Sequence, residues 1–124
     1  MTATEPLTLQ LPPTATFARR RLTWLASAGS DVLGIVRITC HAVKNRNRDS
    51  DPSKVYAVMR HPDPFPAGVR AFLLRCEDNE AGDVYGVTVG PRGESCTCKA
   101  ASCRVPTGCK HVSAVLALLA AEVL

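Results

Sequence analysis

VYGVTVGPRGESCTCKAASCRVPTGCKH, residues 84–111, is the stretch on which the reading of the whole chain turns. Residues 84–89 are β-branched or aromatic at alternate positions, which predicts a strand with Tyr85, Val87 and Val89 facing a core. In GPRG, Pro91 suits the second position of a type I turn and Gly93 the fourth, so this strand folds back into a second one over 94–98. Beyond a cysteine-rich segment, Gly108 precedes a helix whose stripe is Val112, Val115, Leu116, Leu119 and Val123. Ala114, Ala117, Leu118 and Ala121 widen that stripe almost all round. Such a helix is either wedged against the sheet or covered in part by another protein.

The chain has six cysteines, and four of them, Cys96, Cys98, Cys103 and Cys109, fall within fourteen positions. Clustering of that kind points to a metal rather than to a disulfide framework. Cys96 and Cys98 are two apart, so on an extended chain both sulfurs point to one side. Cys109 and His111 are also two apart, but in a continuous helix that spacing turns side chains roughly 200° from one another. They reach one ion only if Cys109 sits at the helix cap and His111 just inside it. The free amides and positive dipole end at that cap also favour a thiolate. Three thiolates and one imidazole form a closed tetrahedral set suited to one structural Zn²⁺, with no position left for a substrate. The resulting charge of about −1 can be offset by Lys99 and Lys110.

Cys103 is read as a free or partly buried thiol. The competing ligand set is Cys96, Cys98, Cys103 and Cys109 with His111 unbound, and the competing function is thiol redox chemistry or an enzyme using the cysteines. No Cys-x-x-Cys pair supports the redox version. A Cys109/His111 nucleophile and base pair lacks an orienting acid and an oxyanion glycine arrangement nearby, and no catalytic residue is expected.

Working upstream, residues 69–77 and 55–60 are read as strands, with helix the alternative for the first, and Pro62, Pro64 and Pro66 exclude regular structure between them. Residues 32–40 alternate as a strand, with Val32, Gly34, Val36, Ile38 and Cys40 on one side. Residues 44–54 carry no apolar side chain and predict an exposed basic loop. Residues 16–28 are rich in helix formers, and Ala18, Leu22 and Leu25 share a helical face, so a helix ending at Gly29 is expected. Residues 1–14, rich in Thr and Pro, are read as a flexible arm with room for a short extended piece at Leu7, Leu9 and Leu11. Cys40 and Cys76 read as small buried hydrophobes, Trp24, Tyr56 and Tyr85 as core aromatics, and His41 and His61 as strand or surface residues.

The net charge of +4 is unevenly spread. Residues 17–60 carry nine basic and three acidic side chains, 61–89 two and five, and 90–111 four and one. Basic ends around an acidic middle permit nucleic-acid or acidic-protein partners. No charged start leads into an apolar stretch with a cleavage site, and the apolar run 112–124 is shorter than the ~20 residues that span a bilayer. A soluble, cytoplasmic protein with no membrane partner and no small-molecule substrate is the expectation.

Cys96-Thr97-Cys98, a loop, and Cys109-Lys110-His111 running into an apolar helix resemble the SWIM-type zinc finger, a ββα unit. The flanks VYGVTVGPRGESCTC and GCKHVSAVLALL are similar to that family's strand, turn, ligand strand and helix start; Cys103 is an addition to the pattern. The upstream half is loosely similar to small bacterial SWIM proteins, in which an Arg-rich helix precedes a sheet. The resemblance implies zinc binding and contacts to DNA or other proteins, and does not imply catalysis. The expected architecture is α+β: an arm over 1–14, an N-terminal helix and antiparallel sheet over 15–83, and a C-terminal ββα zinc finger over 84–124 packed on the same core. Cys96, Cys98, Cys109 and His111 would hold the metal, and Lys99, Arg104 and Lys110 would face a partner. A protein partner is favoured over DNA, because the C-terminal helix is apolar almost everywhere and shows no polar, base-reading face.

Overall fold

A computed structural model describes residues 5–11, 17–27, 31–42, 53–78, 82–91, 93–98 and 109–124. Seven strands form one sheet: β1 (Leu7–Leu11), β2 (Phe17–Ala26), β3 (Gly34–Ala42), β4 (Ser53–Arg60), β5 (Arg70–Cys76), β6 (Val84–Gly90) and β7 (Gly93–Cys96). Spatial order follows chain order and every neighbouring pair is antiparallel. A single described helix, α1 (Lys110–Ala120), packs on β6 and also touches β1 and β7, the two ends of the strand order. The sheet therefore curls around the helix as a half-barrel.

The core lies between α1 and the inner face of that curl. Alternate residues of successive strands supply it: Leu22 and Trp24, Val36 and Ile38, Tyr56 and Val58, Phe72 and Leu74, then Val87, closed by Ala114, Val115 and Leu118 of the helix. Cys40 and Cys76 are buried members of the same cluster. The apolar stripe of α1 is thus spent on the sheet, although Leu116 remains 37% exposed. Gly90 and Gly93 close the β6–β7 hairpin around Pro91, and Gly93 takes a positive φ of 120° that suits glycine.

The expected α+β class with an N-terminal helix is corrected: the protein is mostly antiparallel sheet with one short C-terminal helix. Residues 17–26 are strand β2, in register with β1 through Leu7↔Trp24, Leu9↔Leu22 and Leu11↔Arg20, and with β3 on its other side. The physical reason lies in which residues need burial. Helical spacing groups Ala18, Leu22 and Leu25, yet the buried set is Arg20, Leu22 and Trp24, an alternating pattern. Helix preference among Ala, Leu and Arg is worth only tenths of a kcal/mol per residue. Burying Leu22 and Trp24 is worth roughly 1.5–3 kcal/mol each, and two hydrogen-bonded ladders add to it. Arg20 reaches across the core, only 1% exposed, and its Nη2 donates to Ser113 Oγ of α1 at 3.3 Å.

Gly34 allows the indole of Trp24 to approach the β3 backbone closely. A Cβ there would come within 2.4 Å of Cη2 and Cζ2 of the indole and 2.8 Å of the carbonyl oxygen of Leu25. Gly34→Ala should cost about 1–3 kcal/mol in chemical denaturation, as overpacked cores do. An unchanged midpoint would mean that the ring is not held against this strand.

Candidate metal centre

β7 ends in Cys96, and the chain then passes through Thr97 to Cys98. Thr97 is pinned twice to Gly86 of β6: its amide donates to the Gly86 carbonyl at 3.1 Å, and the Gly86 amide donates to Thr97 Oγ1 at 3.0 Å. This clamp holds the residue between the two cysteines, so neither sulfur position depends on a free chain end. Cys109 is the N-cap of α1, with an extended backbone (φ −75°, ψ 111°), and its sulfur accepts the Val112 amide at 3.5 Å. His111 lies in the first turn. The cap position resolves the two-residue spacing as the geometry of a helix requires.

The four donor atoms, Sγ of Cys96, Cys98 and Cys109 and a ring nitrogen of His111, all lie within 4.8 Å of one another. Cys98 and Cys109 are 3.3 Å apart at sulfur, and His111 Nδ1 is 3.7 Å from both Cys96 Sγ and Cys109 Sγ. A tetrahedral Zn²⁺ with its ordinary bond lengths sets sulfurs about 3.8 Å apart and sulfur and nitrogen about 3.5 Å apart. The set fits a metal ion. None of these cysteines, nor Cys40 or Cys76, is in a disulfide. Cys98, Cys109 and His111 are buried and Cys96 is half-buried, so the centre is closed on most sides.

The sulfurs also share charge unequally. Hydrogen bonding to Cys96, then to His111 Nδ1, the Val112 amide and Cys98, holds the Cys109 thiol well below the usual thiol range despite its burial. Cys96 moves the opposite way, raised first by its hydrogen bond with Cys109 and then by burial. Without a cation Cys96 and Cys109 favour opposite protonation states; a dication would favour the thiolate at every cysteine that ligates it.

Two tyrosines position the imidazole. Tyr85 stacks on it at 4.4 Å between centroids, and Tyr56 meets it edge-on at 5.0 Å. Tyr56 Oη lies 3.1 Å from His111 Nε2, a contact that spans 55 residues of chain. Burial first, with the neighbouring Cys76 second, drives the Tyr56 phenol further toward its protonated form. With Nδ1 aimed at the sulfurs, a metal there leaves the proton on Nε2, which donates to the Tyr56 oxygen; this fixes tautomer and ring plane together. Sequence reading places both tyrosines in the core and misses this role. The available signal is that a buried phenol needs a polar partner.

Of the residues expected to face a partner, Lys110 is half-buried, its ammonium 6.0 Å from the Tyr56 ring centre. Lys99 and Arg104 lie outside the described residues, as does Cys103, so the four-cysteine alternative has one member that is not placed. His61 is apart from the cluster, where Nδ1 accepts the Asp63 amide at 3.1 Å. No described helix is long and apolar enough to cross a membrane. Comparisons with protein-family models, with curated proteins and with solved structures gave no match.

Tyr56→Phe keeps the packing but removes the partner of Nε2. Zinc affinity, measured by competition with a chromophoric chelator, should fall about tenfold or more. Unchanged affinity would remove Tyr56 from the centre.

Proposed function

We propose that the chain is a SWIM-type interaction module stabilised by one structural zinc ion held by Cys96, Cys98, Cys109 and His111. The observation that carries this is the convergence of three sulfurs and Nδ1 within 4.8 Å, at the junction of a clamped strand end and a helix cap. Four protein donors complete a tetrahedral shell, so an ion there has no open position for substrate, and we propose no catalytic role. The SWIM assignment rests on the Cys-x-Cys and Cys-x-His spacing and its flanks. Soft thiolate donors suit a reducing compartment, in keeping with a cytoplasmic location.

The module's work, on this reading, is to present surface to a protein or to DNA. Burial of Ala114, Val115 and Leu118 leaves α1 with little apolar area for a partner, exposed mainly at Leu116. The edge beside the metal, with Lys110, is the candidate contact.

Native mass spectrometry of the purified chain should show one zinc per chain. His111→Ala should lose that ion and, like chelation of the wild type, lower thermal stability, since a structural zinc contributes on the order of 10 kcal/mol of binding free energy. Fast alkylation of several thiols in the metal-loaded protein would point instead to cysteine chemistry.

A further inference from the structure

Strands β1 to β4 contain no Asp or Glu. They carry six cationic side chains, and three of these, Arg19, Arg21 and Arg37, stand exposed on the face of the sheet turned away from α1 and from the metal centre. An exposed antiparallel face is ordinarily polar, but it ordinarily mixes signs. This one does not.

The register sets the arginines close. Arg19 and Arg21 are two residues apart on one strand, so roughly 7 Å separates them. Arg21 faces Thr39 and Arg37 faces Thr23, which places Arg21 and Arg37 on a cross-strand diagonal of about 7–8 Å. Like charges at such positions oppose sheet pairing. Arg19, Arg21 and Arg37 form no ion pair among the described residues. Among the described residues Arg37 Nη1 donates to Ser53 Oγ at 3.5 Å, while the Asp78 carboxylate accepts the Val55 amide at 2.6 Å. Glu5 and Asp31 precede β1 and β3, at the end of the ladder away from Arg19.

A repulsive cluster of guanidinium groups is complementary to a row of anions. The separations match those of successive phosphates along a nucleic-acid strand, and guanidinium forks pair with phosphate oxygens in bidentate fashion. Thr8, Gln10 and Thr39 beside them are neutral hydrogen-bonding groups of the kind that contact phosphate and sugar. Among the side chains described on this face of β1–β4, the one aromatic ring is the imidazole of His41, opposite Arg19, while Trp24 and Tyr56 point inward. One imidazole is no platform for a run of unpaired bases, which stack on successive rings.

We propose that the outer face of β2 and β3, centred on Arg19, Arg21 and Arg37, binds the phosphate backbone of duplex nucleic acid without reading its sequence. This surface is distinct from the edge beside the metal, and it lies on the opposite side of the sheet.

The test titrates the full chain, with its zinc content measured, against a short fluorescent DNA duplex from about 50 to 200 mM salt. The expected result is binding in the micromolar range that is indifferent to scrambling of the duplex sequence. In Arg19→Gln/Arg21→Gln/Arg37→Gln, the slope of log affinity against log salt should be shallower by about 2.7, since each phosphate left without its arginine removes about 0.9. Arg60→Gln/Arg70→Gln should keep the wild-type slope, and circular dichroism melting verifies that each variant is folded. No duplex binding at low salt overturns the proposal, as does a triple variant with an unchanged slope. Tighter binding of the single strand, or of phosphatidylserine vesicles, equally overturns it by assigning the face to another partner. The readout does not need the metal, so a zinc-free chain that still shows the arginine-dependent slope would refute the metal assignment alone.

Discussion

The packing of α1 into the concave side of the sheet is the contact on which the other features depend. Seven strands in simple succession do not close on themselves, and their inner face is apolar from Leu22 to Val87. Ala114, Val115 and Leu118 fill that face, and the helix touches β1 as well as β6 and β7. Because the helix must begin where its stripe first meets the sheet, Cys109 and His111 arrive beside the end of β7. The donor cluster is a product of core packing as much as of cysteine spacing.

What the sequence discloses and what it conceals follow the range of the interactions. The convergence of Cys96, Cys98, Cys109 and His111 was legible because its constraints are local: alternation on an extended chain places Cys96 and Cys98 together, and a helix cap is the place where residues 109 and 111 converge. Strands β3 to β6 were legible from β-branched alternation, and the β6–β7 turn from Pro91 and Gly93. Residues 17–26 were not, since Arg and Leu serve a helix well and only pairing with Leu7, Leu9 and Leu11 makes the strand worthwhile. Arg20 deepened the ambiguity, for a charged residue on the inner row breaks the apolar pattern that an alternating strand would show. The tyrosines around His111 were hidden for the same reason, because Tyr56 is 55 positions away and meets the ring only after β4 and β5 have paired.

Charge is divided between the two sides of the sheet. On the inner side, three sulfurs and an imidazole meet, with Cys109 favouring its ionised form and Cys96 its neutral one. On the outer side, arginines stand together without carboxylates in the strands that carry them. Antiparallel alternation makes this separation possible, since neighbouring residues on one strand serve opposite faces. In β2 it acts within three residues: Arg19 and Arg21 look outward while Arg20 crosses the core to Ser113.

The succession of strands has a bearing on how the molecule is made. Each strand pairs with the one just synthesised, so most of the sheet forms by short-range hairpin closures, which are kinetically easy. The helix is different: its contact with β1 joins segments about a hundred residues apart. Until α1 has left the ribosome, the concave side of a nascent sheet has nothing to cover its apolar rows, and such surfaces attract one another. The hazard for this protein therefore lies in the interval before α1 docks, and a chaperone that shields that hollow would act on the chain at its most vulnerable moment.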